Sequence, residues 1–207
     1  MKYRYTKEKN FPPFLDQIIK MKPEDVPVSA YARILCTHCG LFNRAILCPP
    51  LLYKTYPQYT TIDTSRSYID SFRHAFIYVF KNDGLKRFWY KKEQDKFDHL
   101  QMKRRRGREL KGVEANSARQ LTRIMKKVKV ANIKAGYKAD CYIQGHCDLC
   151  ARKCPNRNNP PCKRGGLTAM EAAGINVYGL LDQLGIDYCY PVGDYLTQVT
   201  MLLVGEK

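Results

Sequence analysis

Cys36-Thr-His-Cys39-Gly40 sets two thiols two residues apart. At that spacing one tight turn presents both sulfurs to a single metal centre, and the glycine lets backbone approach it closely. Cys48-Pro49-Pro50 adds a third sulfur nine residues further on. A proline directly after a ligand cysteine removes a backbone donor and turns the chain away from the centre, as in the C-P ending of bacterial ferredoxin runs. A lone CxxC is more simply structural zinc or accident, and the third cysteine with its prolines is what favours iron–sulfur ligation here. His38 lies inside the CxxC turn, where a side chain usually points away from the centre, and it is left out of the candidate site.

A second constellation, Cys147-Asp-Leu-Cys150-Ala-Arg-Lys-Cys154-Pro155, reproduces the last three ligands of the ferredoxin run, C-x2-C-x3-C-P. Gln144 stands where that run has its first ligand. The missing sulfur has two candidates within loop reach, Cys162 in Pro160-Pro-Cys-Lys163 and Cys141, three residues before the vacant position.

With these motifs in order, the chain resembles the cysteine-rich "predicted metal-binding" family, a domain of unknown function, of anaerobic bacteria and archaea. The resemblance runs from about Ala32 to Val204. It is carried by Cys36-Thr-His-Cys39-Gly40, Cys48-Pro49-Pro50, Ala135-Gly-Tyr137, Gly145-His-Cys147-Asp-Leu-Cys150, Cys154, Pro161-Cys162 and Met170-Glu-Ala-Ala-Gly-Ile175. It implicates seven cysteines as ligands, Cys36, Cys39, Cys48, Cys147, Cys150, Cys154 and Cys162, with Cys141 a possible extra and Cys189 an addition. It implies a metal and no particular reaction. The chain departs from the family pattern at His146, where proline is usual, at Lys163-Arg164, where a histidine–proline pair is usual, and over Leu51 to Tyr56, where the family is proline-rich. These departures spare the cysteines and bear on loop shape and surface partners.

Nine cysteines is an odd number, and they are bunched at short spacings, which favours ligation over cross-linking. The N-terminal residues Met1 to Asn10 are charged and lack the apolar run of a secretion signal, and no window is long and apolar enough to span a bilayer. A cytoplasmic location is therefore expected, where thiols stay reduced and disulfides are rare. Free cysteine also behaves as a small buried hydrophobe, so Cys189, between Tyr188 and Tyr190, is most simply a core residue.

The elements that must position these cysteines follow from periodicity. With 207 residues and 44% hydrophobic content the chain suffices for one domain with a real core. The apolar spacing in Phe14 to Met21 predicts a helix, and Ser29 is a candidate cap for a helical turn entering the first cysteines. A loop is expected after Pro50, then a helix over Ile62 to Phe72 and a buried strand over Ala75 to Phe80, ended by Asn82-Asp-Gly84. Residues 85–135 contain no proline and carry an apolar stripe at Leu110, Val113, Ser117, Leu121, Ile124, Val128 and Ala131. They should form one long helix, or two joined near Gly107. Ala169 to Leu184 reads as a helix interrupted at Gly174, Ile186 to Tyr190 as a short strand, and Gln198 to Val204 as a closing strand. The expectation is an α/β fold (α+β being the alternative), a single metal-binding domain over 1–207 with a small sheet, cysteine-rich loops, and 85–135 as a basic helical insertion or arm.

Charge concentrates in that arm. The chain carries a formal +17, and Lys81 to Lys138 holds nineteen Lys or Arg against six Asp or Glu, so most of the excess sits there. Lys103, Arg104, Arg105 and Arg106 are the densest point and the candidate partner-binding residues, with Lys126-Lys-Val-Lys129 next. An acidic redox protein and nucleic acid are the partners such a charge suits, and interleaved Phe88, Trp89, Tyr90 and Phe97 would stack on bases. A solvated helix face is the plain alternative.

Three functions are compatible with these residues. The leading one is an iron–sulfur protein with one or two four-iron four-sulfur clusters, serving electron transfer or as a redox accessory. A second is an enzyme whose three-cysteine cluster leaves one iron open for sulfur transfer or desulfuration. A third is a zinc-stapled nucleic-acid-binding module with Cys36, Cys39, Cys147 and Cys150 around Zn, which leaves Cys48, Cys154 and Cys162 without a role. Catalytic residues and small-molecule substrate are not marked by any pattern, and neither is enzymatic activity itself.

Overall fold

Ala75-Phe-Ile-Tyr-Val-Phe80 is apolar at every position, the pattern of a strand covered on both faces, and it forms the heart of the sheet. In the computed structural model, residues 11, 13–38, 42–43, 47–82, 99–145, 147, 162, 164–188 and 196–207 are described, those of 99–115 by backbone alone. Among the described residues there are five strands: β1 (Leu15–Met21), β2 (His74–Asn82), β3 (Ala139–Ile143), β4 (Thr168–Ala169) and β5 (Leu196–Val204). They lie in the order β1-β2-β5-β3-β4, antiparallel except for the β3–β4 pair. Five helices accompany them: α1 (Ala30–Thr37), α2 (Leu51–Thr55), α3 (Ile62–Asp70), α4 (His99–Lys134) and α5 (Val177–Gln183). The α/β class and small sheet expected from the sequence are observed, and the sheet is mixed.

Strand alternation sorts the core into two halves. On one face Ile77, Val79, Tyr142, Val199, Met201 and Leu203 pack with Leu52, Tyr59 and Ile69, and with Met170, Ile175 and Leu180 from the C-terminal part of the chain. On the other, Phe76, Tyr78, Phe80, Cys141, Ile143 and Leu202 pack against Leu121, Met125 and Val128 of α4. The result is three layers, with α4 alone forming the helical cover of the second face among the described residues. Among its residues with described side chains, Ser117, Leu121, Thr122, Met125, Val128 and Asn132 are buried, and all but Thr122 follow one another at spacings of three and four as one helical stripe requires.

Several expectations are corrected. Residues 14–21 form no helix: Leu15–Met21 is an edge strand paired antiparallel to β2, with a bulge between Leu15 and Gln17. The spacing that suggested a helix is satisfied by a strand because Ile18 and Ile19 are each taken up by opposite faces, Ile19 by the first core and Ile18 by the second. Pairing with β2 outweighs the local pattern. Residues 51–59, expected as loop, contain α2 and a short 3-10 turn at Pro57–Tyr59. Residues 169–184 are not one helix. Thr168–Ala169 pairs with β3, Gly174 takes a left-handed φ of 86°, and α5 starts only after Asn176, whose side chain accepts a hydrogen bond from the Gly179 amide at 3.1 Å. Residues 186–188 carry no strand, and 189–190 lie outside the described residues.

Other expectations hold. Ile62–Asp70 is helical and opens with a reciprocal Thr61–Thr64 capping box. Ser29 is the N-cap position of α1, although its side chain makes no capping bond. Gly107 joins no pair of helices, since α4 runs unbroken from His99 to Lys134. The part of the arm at 85–98, with Phe88, Trp89, Tyr90 and Phe97, and the turn at Asp83-Gly84 lie outside the described residues. No described helix is long and apolar enough to cross a membrane.

Because Met125 is fully buried between α4 and the sheet whereas Lys127 is exposed, the two test the second core directly. Met125→Ala should lower unfolding free energy by about 2–5 kcal/mol in urea titrations, and Lys127→Ala by less than about 0.5 kcal/mol.

Candidate metal centre

The cysteine segments are attached at the ends of these elements. Cys36 occupies the last turn of α1, one helical turn after Arg33. Arg33 ties α1 to the start of α3, donating to the Thr60 and Thr61 carbonyls at 3.0 and 2.7 Å and to Ser65 Oγ at 2.7 Å. Its guanidinium also lies over the Tyr53 ring, 5.2 Å from the centroid. Burial lowers the Arg33 pKa, opposed by Tyr53 and the nearby Cys36 sulfur. Burial likewise raises that of Tyr53, opposed by Arg33 and assisted by Cys36. A cation, a phenol and a thiol thus share one small neighbourhood.

Cys48 is buried at the entrance to α2, where its carbonyl accepts the Leu52 amide at 2.9 Å, and the Pro49–Pro50 bond that follows is cis. Cys147 leaves the end of β3. Its approach is held by Gln144, which continues the ladder beyond the strand: its amide donates to the Val199 carbonyl at 3.1 Å and its Oε1 accepts the Val199 amide at 3.0 Å. The residue in the vacant ligand position therefore serves the sheet. The Gly145 amide donates to the Glu171 carboxylate at 3.2 Å, fixing the same turn.

Gly166 is where distant segments meet. A Cβ built on it would lie 2.5 Å from Leu47 Cδ1, 3.0 Å from Cys147 Sγ and 3.4 Å from Cys162 Sγ. Two sulfurs of the second constellation therefore flank one glycine, and the residue preceding Cys48 of the first constellation closes the same spot. No side chain fits at 166 unless these neighbours move. Lys126 of α4 donates to the Arg164 carbonyl and packs beside Gly165, anchoring the stretch just after Cys162 to the helical layer.

Of the seven implicated cysteines, Cys36, Cys48, Cys147 and Cys162 are described; Cys36 and Cys162 pack against the first core, and Cys147 packs against both. Cys39, Cys150 and Cys154 lie outside the described residues, as does Cys189. No disulfide joins any two of the described cysteines. Among the described residues no group of three or more His, Cys, Asp or Glu side chains gathers as a ligand set. Cys141 sits elsewhere, in the second core under α4, where burial and the adjacent Asp140 push its thiol pKa well up. His38 bonds Thr37 and the Ile34 carbonyl at the surface. Lys103, Arg104, Arg105 and Arg106 lie on α4, in the half described by backbone.

A polar cluster beside the cysteines carries no sequence motif. The Asp140 carboxylate, almost buried, receives Tyr59 and Tyr68 hydroxyls, each at 3.1 Å, the Lys129 ammonium at 2.6 Å and the Cys141 amide at 2.9 Å. Tyr59 also bonds Tyr142 through its hydroxyl at 2.8 Å. Burial pulls the Lys129 pKa down, and the Asp140 charge and hydrogen bond outweigh it, leaving it raised. Burial and Asp140 hold Tyr59, Tyr68 and Tyr142 well above the ordinary phenol range. Tyr56 joins this cluster to the thiols: burial raises its pKa first, the neighbouring Cys162 next, with Lys129 opposing. The one sequence signal was an aspartate in an otherwise apolar strand, Ala139-Asp-Cys-Tyr-Ile143, which needs buried partners to be tolerated.

Fold and site together define a three-layer α/β protein with a thiol-bearing rim where two cysteine-rich segments converge. The chain belongs to the predicted metal-binding protein family DUF2284, whose family model matches residues 19–204. Searches of curated proteins and of solved structures find no match.

Gly166→Ala should destabilise the protein by about 1–3 kcal/mol, read as a lower urea midpoint, because the new methyl meets Leu47 and Cys147. Stability should also fall as pH rises above about 10. With their folded pKa values raised, Tyr59, Tyr142 and Lys129 hold protons that the unfolded chain releases first, so their contribution is present below that pH and lost above it. Urea titrations at pH 8 and pH 10.5 measure this, and Asp140→Asn should cost about 3 kcal/mol at pH 8 by leaving the Lys129 ammonium without its carboxylate.

Proposed function

We propose that this protein binds an iron–sulfur centre through Cys36, Cys39, Cys48, Cys147, Cys150, Cys154 and Cys162, and that it works in electron transfer or as a redox accessory. The observation that carries the reading is the meeting at Gly166: Cys147 and Cys162 flank it, and Leu47, the neighbour of Cys48, closes it. Segments about a hundred residues apart in sequence thus share one place in the fold, as a centre drawing on both constellations needs.

The donor set fits the group. Thiolates are soft ligands that favour iron–sulfur clusters and zinc over magnesium or calcium, and the two C-P endings favour the cluster. The absence of a side chain at Gly166 leaves backbone beside the sulfurs, where amides are the usual hydrogen-bond partners of cluster sulfur. When bound, such a centre accepts and returns single electrons. The chain's own contributions are distinct from that chemistry. Leu47 and the first core keep water from the thiol side, Arg33 sets positive charge beside Cys36, and Tyr56 lies within electrostatic range of Cys162 and of the Lys129–Asp140 pair. A reducing compartment such as the cytoplasm would keep these thiols available.

Anaerobic purification followed by iron, sulfide and zinc analysis tests the reading. The expected protein is brown, with iron and acid-labile sulfide in excess of zinc, whereas colourless protein with stoichiometric zinc and no sulfide would refute the cluster. Cys147→Ser and Cys162→Ser should each lower metal content, and Cys141→Ser should keep it while losing only packing, because its thiol is fully buried on β3 beneath α4.

A further inference from the structure

From Asn116 onward α4 has one face on the sheet and one to solvent. Ser117, Leu121, Met125, Val128 and Asn132 lie on the covered face. Opposite them Arg123, Lys127, Val130 and Lys134, all exposed, follow one another at spacings of four, three and four. On a helix these positions form one line, about 16 Å long. Arg119, Lys126 and Ile133 run along one side of it.

The charge of this face is of one sign. Between Ala115 and Ala139 the chain has seven Lys or Arg and no Asp or Glu. Among the described residues none of Arg123, Lys127 and Lys134 is in an ion pair. Val130 and Ile133, 40% and 49% exposed, are neighbours on the helix surface and set an aliphatic spot among the cations. The face also borders the thiol rim. Lys126 donates to the Arg164 carbonyl, and in the chain only Lys163 separates Arg164 from Cys162.

An apolar spot ringed by charge of one sign has the make-up of a protein docking face, where the spot is covered and the ring steers the approach. A phosphate backbone has no apolar surface with which to cover Val130 and Ile133. A bilayer takes up a broad apolar face, which two aliphatic side chains do not make. We propose that Arg123, Lys127, Val130, Ile133 and Lys134 form the docking face for a small acidic redox protein. The redox character of that partner rests on the iron–sulfur reading above; its acidity rests on the exposed cations and its place on their closeness to Cys162. Redox encounters bury less than about 1,200 Å² in total, which one helix face and its flanks can supply.

The test uses the full chain as purified and a labelled acidic plant-type two-iron ferredoxin as probe, followed by fluorescence anisotropy and stopped flow. Binding should weaken at least about tenfold between about 20 and 200 mM salt, as screening shortens the reach of the cations. Lys127→Gln with Lys134→Gln should weaken it at least about fivefold at the lower salt, chiefly through slower association. Lys22→Gln with Lys54→Gln makes the same change of net charge at exposed positions on the other side of the sheet and should alter binding less than about twofold. Val130→Ala with Ile133→Ala should instead speed dissociation at least about threefold. Helicity by circular dichroism should be unchanged throughout, since every substituted side chain is exposed. A parent protein without measurable ferredoxin binding at the lower salt overturns the proposal, and so does equal binding by the parent and the Lys127, Lys134 variant. It is also overturned if the aliphatic variant dissociates like the parent while the Lys127, Lys134 variant loses affinity for a mixed-sequence DNA duplex of about 20 base pairs, which would make the face a phosphate contact. None of these measurements needs a loaded centre, and iron and sulfide analysis of the same preparation reports separately on the cluster.

Discussion

One buried carboxylate joins the three layers. Asp140 lies on β3, where a charge in an apolar environment is costly unless it is paired and hydrogen-bonded. Its partners come from both sides: Lys129 from α4, and Tyr59 and Tyr68 from the opposite cover. Because β4 pairs only with Tyr142 and Ile143, no strand among the described residues lies against the outer edge of β3 beside Asp140, and long side chains from either layer can converge there. Losing any one partner leaves the others with an unmatched polar group, so the relative position of the layers is specified more sharply than apolar packing alone would manage.

The thiol-bearing rim depends on that arrangement. Tyr56 lies within electrostatic range of Cys162, Lys129 and Asp140, so the network that fixes α4 against β3 also borders the second cysteine segment. Lys126, one turn before Val130 on the same helix, holds the chain at Arg164 and Gly165. Gln144 and the Gly145–Glu171 contact hold the exit from β3 that leads to Cys147. On the other side Arg33 binds α1, and with it Cys36, to the α3 entrance. Each cysteine segment is thus tethered by a polar contact to a rigid element, which is the kind of support a metal-binding family requires for reproducible ligand placement.

Charge and thiols are separated along the chain. The dense cationic run sits in the first half of α4, while the contacts with the cysteine-rich stretch come from Lys126 and Lys129 in its second half. A single helix therefore serves as core cover and as support for the rim at one end, and carries its densest run of consecutive cations at the other.

The cysteine spacings, the all-apolar β2, the closing strand, α3 and the long helix were legible in the sequence because each is a local pattern: ligand spacing, alternation or a 3.6-residue stripe. The family resemblance was legible for the same reason, as a series of short motifs in order. Leu15–Met21 was misread as helix because its apolar spacing suits either element, and only the free edge of β2 decides between them. The break between β4 and α5 depended on the left-handed Gly174 and on β3 offering an edge to Thr168 and Ala169. Asp140 shows in the sequence only as an aspartate in an apolar strand, and its tyrosines could not be read, since Tyr59 and Asp140 are 81 residues apart and no local rule links them. The same holds for Gly166. Its glycine is required by Leu47, Cys147 and Cys162 arriving from three separate stretches, a steric condition that exists only once the layers have assembled. The sequence by itself determined which residues can ligate metal and which elements are strongly periodic; tertiary structure alone decided which thiols come together, because nonlocal packing, and not spacing along the chain, brings those segments to one rim.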